Sequence, residues 1–324
     1  MPNKLAIGVD IGGTKIASGL VNITTGNVIA TTRKKTKGLD SNLDLIKKIE
    51  NSIEELLLES NTKPEDISAI GLGIAGMVDR SKGILLEAAN IKTGSIAITE
   101  PIVQKFKIPA YLGNDVEVAS IGEMHYGSGQ NINNFICIFI GTGIGSGIII
   151  NNQLINGACG TAGEIGHIML IPNGKLCGCG NYGCLEAYAS RLAISKNILN
   201  YINKGYETCI TEKIDLDKGI LRSKAISDAI SKNDKVVLAC VLEASNFLAM
   251  GLSTVINLLN PEKIILGGGL IEACELYFKN VCEQTKYYSL KIPGKKTIIQ
   301  KAQLGDFAGI IGAAKLTELR KLKI

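Results

Sequence analysis

The sequence predicts an α/β fold of two domains built on one plan. Two stretches share a grammar: LAIGVDIGGTKIASGLVN from Leu5 and FICIFIGTGIGSGIIINN from Phe135. Each runs from an apolar strand through a glycine-rich bend into a second β-branched strand, so each domain is expected to open with a β-hairpin. Helical patterns fill the intervals between strands. A chain of 324 residues, 46% hydrophobic and 20% charged, is long enough to bury two cores.

After the first hairpin, SNLDLIKKIENSIEELLLES sets Leu43, Ile46, Ile49, Ile53, Leu56 and Leu57 at helical spacing, with Ser41 and Asp44 resembling a capping box. ISAIGLGIAG reads as a strand. TEPIVQKF reads as a short helix with Thr99 as N-cap and Pro101 in its first turn. PAYLGND is a strand running into a turn, and Asp115 opens a helix that Gly127 can end. KVVLACVLEASNFLAMGLSTVINLLN is a long helix that stops before Pro261. The strand KIILGGGL and a final helix, FAGIIGAAKLTELRKL, complete the pattern.

The balance of 35 basic and 30 acidic side chains, net charge +5, is too even to call for nucleic acid or a membrane as partner. The basic runs at 33–37 and near the C-terminus read as solvated edges. FICIFIGTGIGSGIII looks membrane-like, but Gly141, Gly143, Gly145 and Gly147 interrupt it, which fits two short buried strands around a turn. Strand-like residues follow Met1 with no leader pattern, and nine cysteines then point to a reducing, cytoplasmic setting. In that setting clustered thiols signal metal or catalysis rather than disulfides.

DIGGTK places Asp10 at a strand end before Gly12, Gly13, Thr14 and Lys15. Glycines bring backbone N–H groups close to phosphate oxygens, Thr14 can add a hydroxyl and Lys15 a charge, and Asp10 can hold Mg²⁺ directly or through water. Alone, the motif reads equally as a plain hairpin turn. The loop of Gly141, Thr142 and Gly143 is a second of the same kind, as gripping a triphosphate from two sides requires. The P-loop spacing is absent, and GLGIAG is followed by a polar turn instead of the helix that a dinucleotide fingerprint needs.

In GEIGHIMLIPNGKLCGCGNYGCLE, Cys177, Cys179 and Cys184 follow His167 by ten, twelve and seventeen positions. A Cys3His set fills the tetrahedral shell of Zn²⁺ and leaves no position for an activated water, so the expected metal is structural. The other six cysteines, Cys137, Cys159, Cys209, Cys240, Cys274 and Cys282, sit mostly in apolar patterns and are expected in the core. His125 is expected to be packed or at a helix surface.

In order, Asp10–Lys15, Gly113-Asn114-Asp115, Gly141–Gly147, Glu164–His167, CGCGNYGCLE and ILGGG (Ile265–Gly269) resemble the ROK family of sugar kinases over essentially the whole chain, most closely its bacterial glucokinase branch. The resemblance implies an actin-like, RNase H-like fold of two domains around a cleft. It implies a small domain of residues 1–114 that regains the C-terminal helix at about 307–324, and a larger domain of 115–306 that carries the zinc. By the same resemblance Asp115 is the general base toward the sugar 6-hydroxyl, and Asn90, Asn114, Glu164, His167 and Glu186 contact the sugar. Gly267, Gly268 and Gly269 then lie against adenosine, ATP with Mg²⁺ is the donor, and the assembly is a homodimer or homotetramer. Taken alone, a GND turn also reads as Asp capping the next helix, and Glu164 and Glu186 as groups that orient the metal loop. Many members of the family carry a proline where this chain has Ala75. Glucose is the first expected substrate, with N-acetylmannosamine, fructose and N-acetylglucosamine as alternatives. Sugar-responsive repressors of the family carry a helix-turn-helix ahead of the first hairpin, which here begins at Leu5.

Overall fold

The computed structural model describes residues 4–13, 15–35, 42–88, 95–211 and 219–321. Thr14, Ser41 and Asn90 lie outside the described residues. The chain forms two compact units: residues 1–131, 152–162 and 306–324, and residues 132–151 and 163–305.

The sheet of unit 1 contains β1 (Leu5–Ile11), β2 (Lys15–Asn22) and β3 (Asn27–Lys35), then β4 (Ile67–Ile74) beyond α1 (Asn42–Glu59). A small three-stranded sheet of β5 (Met77–Asp79), β6 (Ile84–Glu87) and β7 (Ile96–Ala97) follows, and then come α2 (Thr99–Phe106), β8 (Ala110–Asn114) and α3 (Asp115–Tyr126). The main sheet runs β3-β2-β1-β4-β8, antiparallel across β1 to β3 and parallel across β1, β4 and β8. Helix α1 turns Leu45, Ile46, Ile49, Ile53 and Leu56 into the core and leaves Leu43 exposed.

Two details of this unit differ from the sequence expectation. Thr99 is the first helical residue of α2 and makes no cap bond; the amides of Ile98 and Thr99 instead reach the carbonyl of Gly83, at 2.9 and 3.2 Å. Helix α3 belongs with unit 1 although the expected boundary falls before it, because Val118 and Ile121 pack on Ala313 and Leu316 of the C-terminal helix.

In unit 2, β9 (Phe135–Ile140) and β10 (Ile144–Ile150) form the second hairpin; β11 (Gln153–Leu154) lies in the 152–162 segment that groups with unit 1. The helices are α4 (Glu186–Ala189), α5 (Arg191–Asn203), α6 (Ser223–Ser231) and α7 (Lys235–Leu259). Next come β12 (Lys263–Gly267), α8 (Gly269–Ala273), α9 (Glu275–Tyr288), α10 (Lys291–Lys296) and β13 (Ile298–Lys301). Helix α11 (Ala308–Lys321) returns to unit 1. The strands run β10-β9-β12-β13, the counterpart of β2-β1-β4-β8, with an antiparallel hairpin followed by two parallel neighbours. The duplicated grammar is therefore a duplicated topology.

Helix α7 is the one described helix long and apolar enough to cross a membrane. Its apolar faces are instead spent on the core of unit 2, where Val237, Val241, Leu248 and Leu252 pack with Tyr277 of α9. Asp234 caps its start through Val237 N, and Asn260, at φ 43°, ends it before Pro261. Cys137, Cys240 and Cys274 are buried and Cys282 partly so. Cys159 and Cys209 are exposed, contrary to the core expectation, because both sit in turns between elements.

Candidate active site

In unit 1, the sheet brings two carboxylates together. Parallel strands β1, β4 and β8 end side by side, with Asp10 paired to Gly73 and Gly73 to Gly113. Asp10 leaves the end of β1 and Asp115 the end of β8, on the edge where parallel sheets place ligands. Burial raises Asp10, while Lys15 opposes the rise and Asp306 adds to it. Burial, then the charge of Asp10, pushes Asp115 up to about 6 against the backbone N–H of Val116. Helix α11 packs close beside them. A Cβ at Gly309 would lie 2.8 Å from Asp10 Cγ, so glycine there lets the backbone approach the carboxyl.

The helix cap is Asn114, which frees Asp115 from that task. Asn114 Oδ1 accepts from Val116 N at 2.9 Å and Glu117 N at 3.2 Å, while Glu117 returns to Asn114 N. Asn114 Nδ2 donates to Gly76 O at 3.1 Å. One N–H of the Asn114 amide therefore remains for any other partner. Arg80, which follows β5, grips Glu117 with two nitrogens, Nε at 3.2 Å from Oε2, and both side chains are nearly buried. The expected family proline is Ala75 here, and its N–H donates to Ile11 O at 3.1 Å, a bond that proline cannot make. On the first glycine loop Gly12 N closes the hairpin on Lys15 O at 3.0 Å, and Gly13 is exposed. Lys15 Nζ leans to Asp306 at 3.6 Å.

In unit 2, the β9–β10 turn holds Gly141, Thr142 and Gly143, closed by Gly141 N to Gly143 O at 2.9 Å. Glu186, at the start of α4, stands against Gly143 and accepts from Ile144 N at 2.8 Å. Its other oxygen faces Cys177 Sγ at 3.7 Å, so one carboxylate touches both the glycine loop and the cysteine loop. Arg191 opens α5 on the same turn. Its N donates to Gly141 O at 3.0 Å and its Nη2 to Thr142 Oγ1 at 2.8 Å. Gly267 ends β12, and Gly268 and Gly269 lead into α8.

His167, Cys177, Cys179 and Cys184 converge, all ligating atoms lying within 4.8 Å of one another. Cys179 Sγ lies 3.7 Å from Cys184 Sγ, and Cys177 Sγ 3.6 Å from His167 Nδ1. Tetrahedral Zn²⁺ with Zn–S of about 2.3 Å and Zn–N of about 2.05 Å demands edges of about 3.8 and about 3.6 Å. The residues fit that ion. Backbone bonds knit the loop, with Cys177 N to Asn181 O at 2.8 Å and Gly183 N to Lys175 O at 2.9 Å. Gly183 has φ 79°, and a Cβ there would overlap Ile171 O, so only glycine serves. His167 turns Nδ1 to the cysteines and Nε2 toward exposed Glu164, 3.9 Å from its Oε2. The two ring nitrogens can therefore serve a metal and a second partner separately.

His125 lies on α3 with Nε2 buried, and burial lowers it to about 4. The sequence reading missed Arg80 with Glu117, whose partners lie 37 positions apart, and it missed Arg191. The second had a signal: a cation at the first position of a helix opposes the helix dipole.

Proteins of known sequence and structure resemble this chain over nearly its whole length. A glucokinase of Streptomyces coelicolor is 34% identical over 96% of this chain and 97% of its own. The crystal structure of a ROK family glucokinase from Streptomyces griseus, in complex with glucose and AMPPNP, superposes with a TM-score of 0.82 at 33% identity, covering 96% of this chain and 98% of that one. A xylose repressor of Caldicellulosiruptor bescii is 29% identical over 94% of this chain and 77% of its own. With such structures as neighbours, the fold is the actin-like one of sugar kinases. The ROK family profile matches residues 6–320, and the chain belongs to the ROK family.

Proposed function

We propose that this protein is a sugar kinase that transfers the terminal phosphoryl group of ATP to the 6-hydroxyl of a hexose, with glucose as first substrate. One observation carries the reading: Asp115 follows the carboxyl end of β8 beside the parallel strands β4 and β1, released from capping by Asn114, with its carboxyl raised to about 6. A base poised just below neutrality is ionised at pH 7 and still able to hold a proton. Asp115 takes the hydroxyl proton as the oxygen attacks phosphorus, a contribution of about 10²–10⁴-fold. Phosphoryl transfer otherwise asks for positioning and charge neutralisation. Backbone N–H groups of Gly13, Thr142 and Gly143 supply phosphate donors, with Thr14 and Lys15 following in the first loop, while Gly12 and Gly141 use their own N–H groups to close the two turns that hold the phosphates. Gly267, Gly268 and Gly269 let backbone approach the adenosine.

Two adjacent carboxylates that disfavour joint ionisation suit a cation, and Asp10 would hold Mg²⁺ that neutralises phosphate charge. His167, Cys177, Cys179 and Cys184 would hold Zn²⁺, which with a full shell supplies structure and no chemistry. The braced loop presents Glu164, His167 Nε2 and Glu186 for hydrogen bonds to sugar hydroxyls, and Asn90 and the free N–H of Asn114 add to them. The glucose and AMPPNP bound to the Streptomyces griseus glucokinase support this assignment.

A coupled assay with ATP and a panel of hexoses and N-acetylhexosamines tests it. The expected result is turnover with glucose and a 6-phosphate product. A protein that binds hexose without turning over any would instead favour a repressor role, the one that the name of the Caldicellulosiruptor bescii relative gives.

A further inference from the structure

The structure assigns Arg191 a role in binding the phosphate tail of the donor, an inference that rests on the kinase reading above. Its backbone is fixed on the glycine turn by the bond from its N to Gly141 O, 3.0 Å, and its guanidinium reaches along the turn to Thr142 Oγ1, 2.8 Å. Among the described residues its Nε is buried without a hydrogen-bond partner. It takes part in none of the ion pairs found among them, and desolvation with no carboxylate beside it lowers its affinity for its proton. Glu186, the acid of this turn, is already committed to Ile144 N.

A half-buried cation with an orphaned N–H is costly unless an anion completes it. Arg191 is also the first residue of α5, a helix with no acidic residue in its first turn, so its charge faces the positive helix end unrelieved. A residue that breaks the local rules twice, on a turn built of Gly-Thr-Gly, is placed for something absent from the chain itself. The planar fork suits phosphate oxygens, which accept from two of its nitrogens at once. Thr142 Oγ1 keeps the fork extended over the turn until the anion arrives.

The test is calorimetry of Mg²⁺-AMPPNP, adenosine and glucose with the zinc-loaded wild type, Arg191→Gln and Arg191→Lys, with steady-state KM for ATP alongside. Loss of one charge-assisted phosphate contact predicts AMPPNP affinity and ATP KM worse by roughly ten- to a hundredfold in R191Q. Adenosine and glucose affinities stay within about twofold, and R191K falls between. Equal AMPPNP affinity in wild type and R191Q overturns the assignment while the kinase reading stands. If the wild type binds glucose but no AMPPNP, the donor-site reading itself fails and this inference falls with it. If R191Q does not fold, R191K decides: donor affinity equal to wild type refutes the role of the fork.

Discussion

Asp115→Asn should make the ligand-free protein more stable at alkaline pH, in proportion to the strain its carboxylate bears. The carboxyl is raised from 3.8 to about 6, first by burial and then by Asp10. A raised carboxyl is the reverse of the usual salt-bridged aspartate. Below the unfolded value of 3.8 both states hold the proton and ionisation costs nothing. Between 3.8 and about 6 the unfolded chain loses its proton while the native protein keeps it, so stability falls as pH rises. Above about 6 the loss is complete, at about 1.4 kcal/mol per unit, or roughly 3 kcal/mol as an upper bound. Asparagine has nearly the same shape and never ionises, so it escapes this cost. At about 2–4 °C per kcal/mol, D115N should melt several degrees above wild type at pH 8, up to roughly 10 °C, with the gap closing toward pH 4. Differential scanning calorimetry across that range, without sugar, nucleotide or magnesium, reads it directly. Equal melting temperatures at every pH, or a D115N protein less stable at pH 8, would show that Asp115 is not strained and would remove the physical basis for its role as a poised base.

Three further outcomes follow from the same structure. The pH profile of kcat/KM should rise with pH and reach half its plateau near the Asp115 value of about 6, since the base form is active; a flat profile from pH 5 to 8 contradicts this. Elemental analysis should find about one zinc per chain, and Gly183→Ala should lower that content because its Cβ has no room; full zinc occupancy in G183A argues against the loop geometry. Breaking the buried Arg80–Glu117 pair with Arg80→Met should cost about 3–5 kcal/mol in urea unfolding, and the double change to R80M/E117L should recover much of it. Equal losses in the single and double variants would mean that the two side chains do not act as a pair.

Much of this was legible in the sequence because it rests on local rules. Glycine bends between β-branched runs gave both hairpins, and the matching strand orders follow from repeating one grammar twice. The spacing of His167, Cys177, Cys179 and Cys184 was enough to bring four ligands together, since backbone bonds within the loop set their positions. What stayed hidden depends on distant partners. Nothing near Thr99 announces that Gly83 will satisfy the α2 amides. The GND turn left Asp115 ambiguous between base and helix cap; the cap falls instead to Asn114, whose box with Glu117 is held by the tertiary grip of Arg80. Ala75 read only as a departure from the family; its bond to Ile11 O gives that departure a structural use. The double duty of Glu186 between two loops is set by the fold, because Ile144 lies 42 and Cys177 nine positions before it in sequence and only the folded chain brings both to one carboxylate.

The most direct test of the account is single-turnover phosphorylation by Asp115→Asn with glucose affinity measured on the same protein. The account predicts glucose binding within a few-fold of wild type and a phosphoryl-transfer rate lower by at least about a hundredfold. A near-normal rate in D115N would contradict it, since the hydroxyl proton would then be leaving by another route.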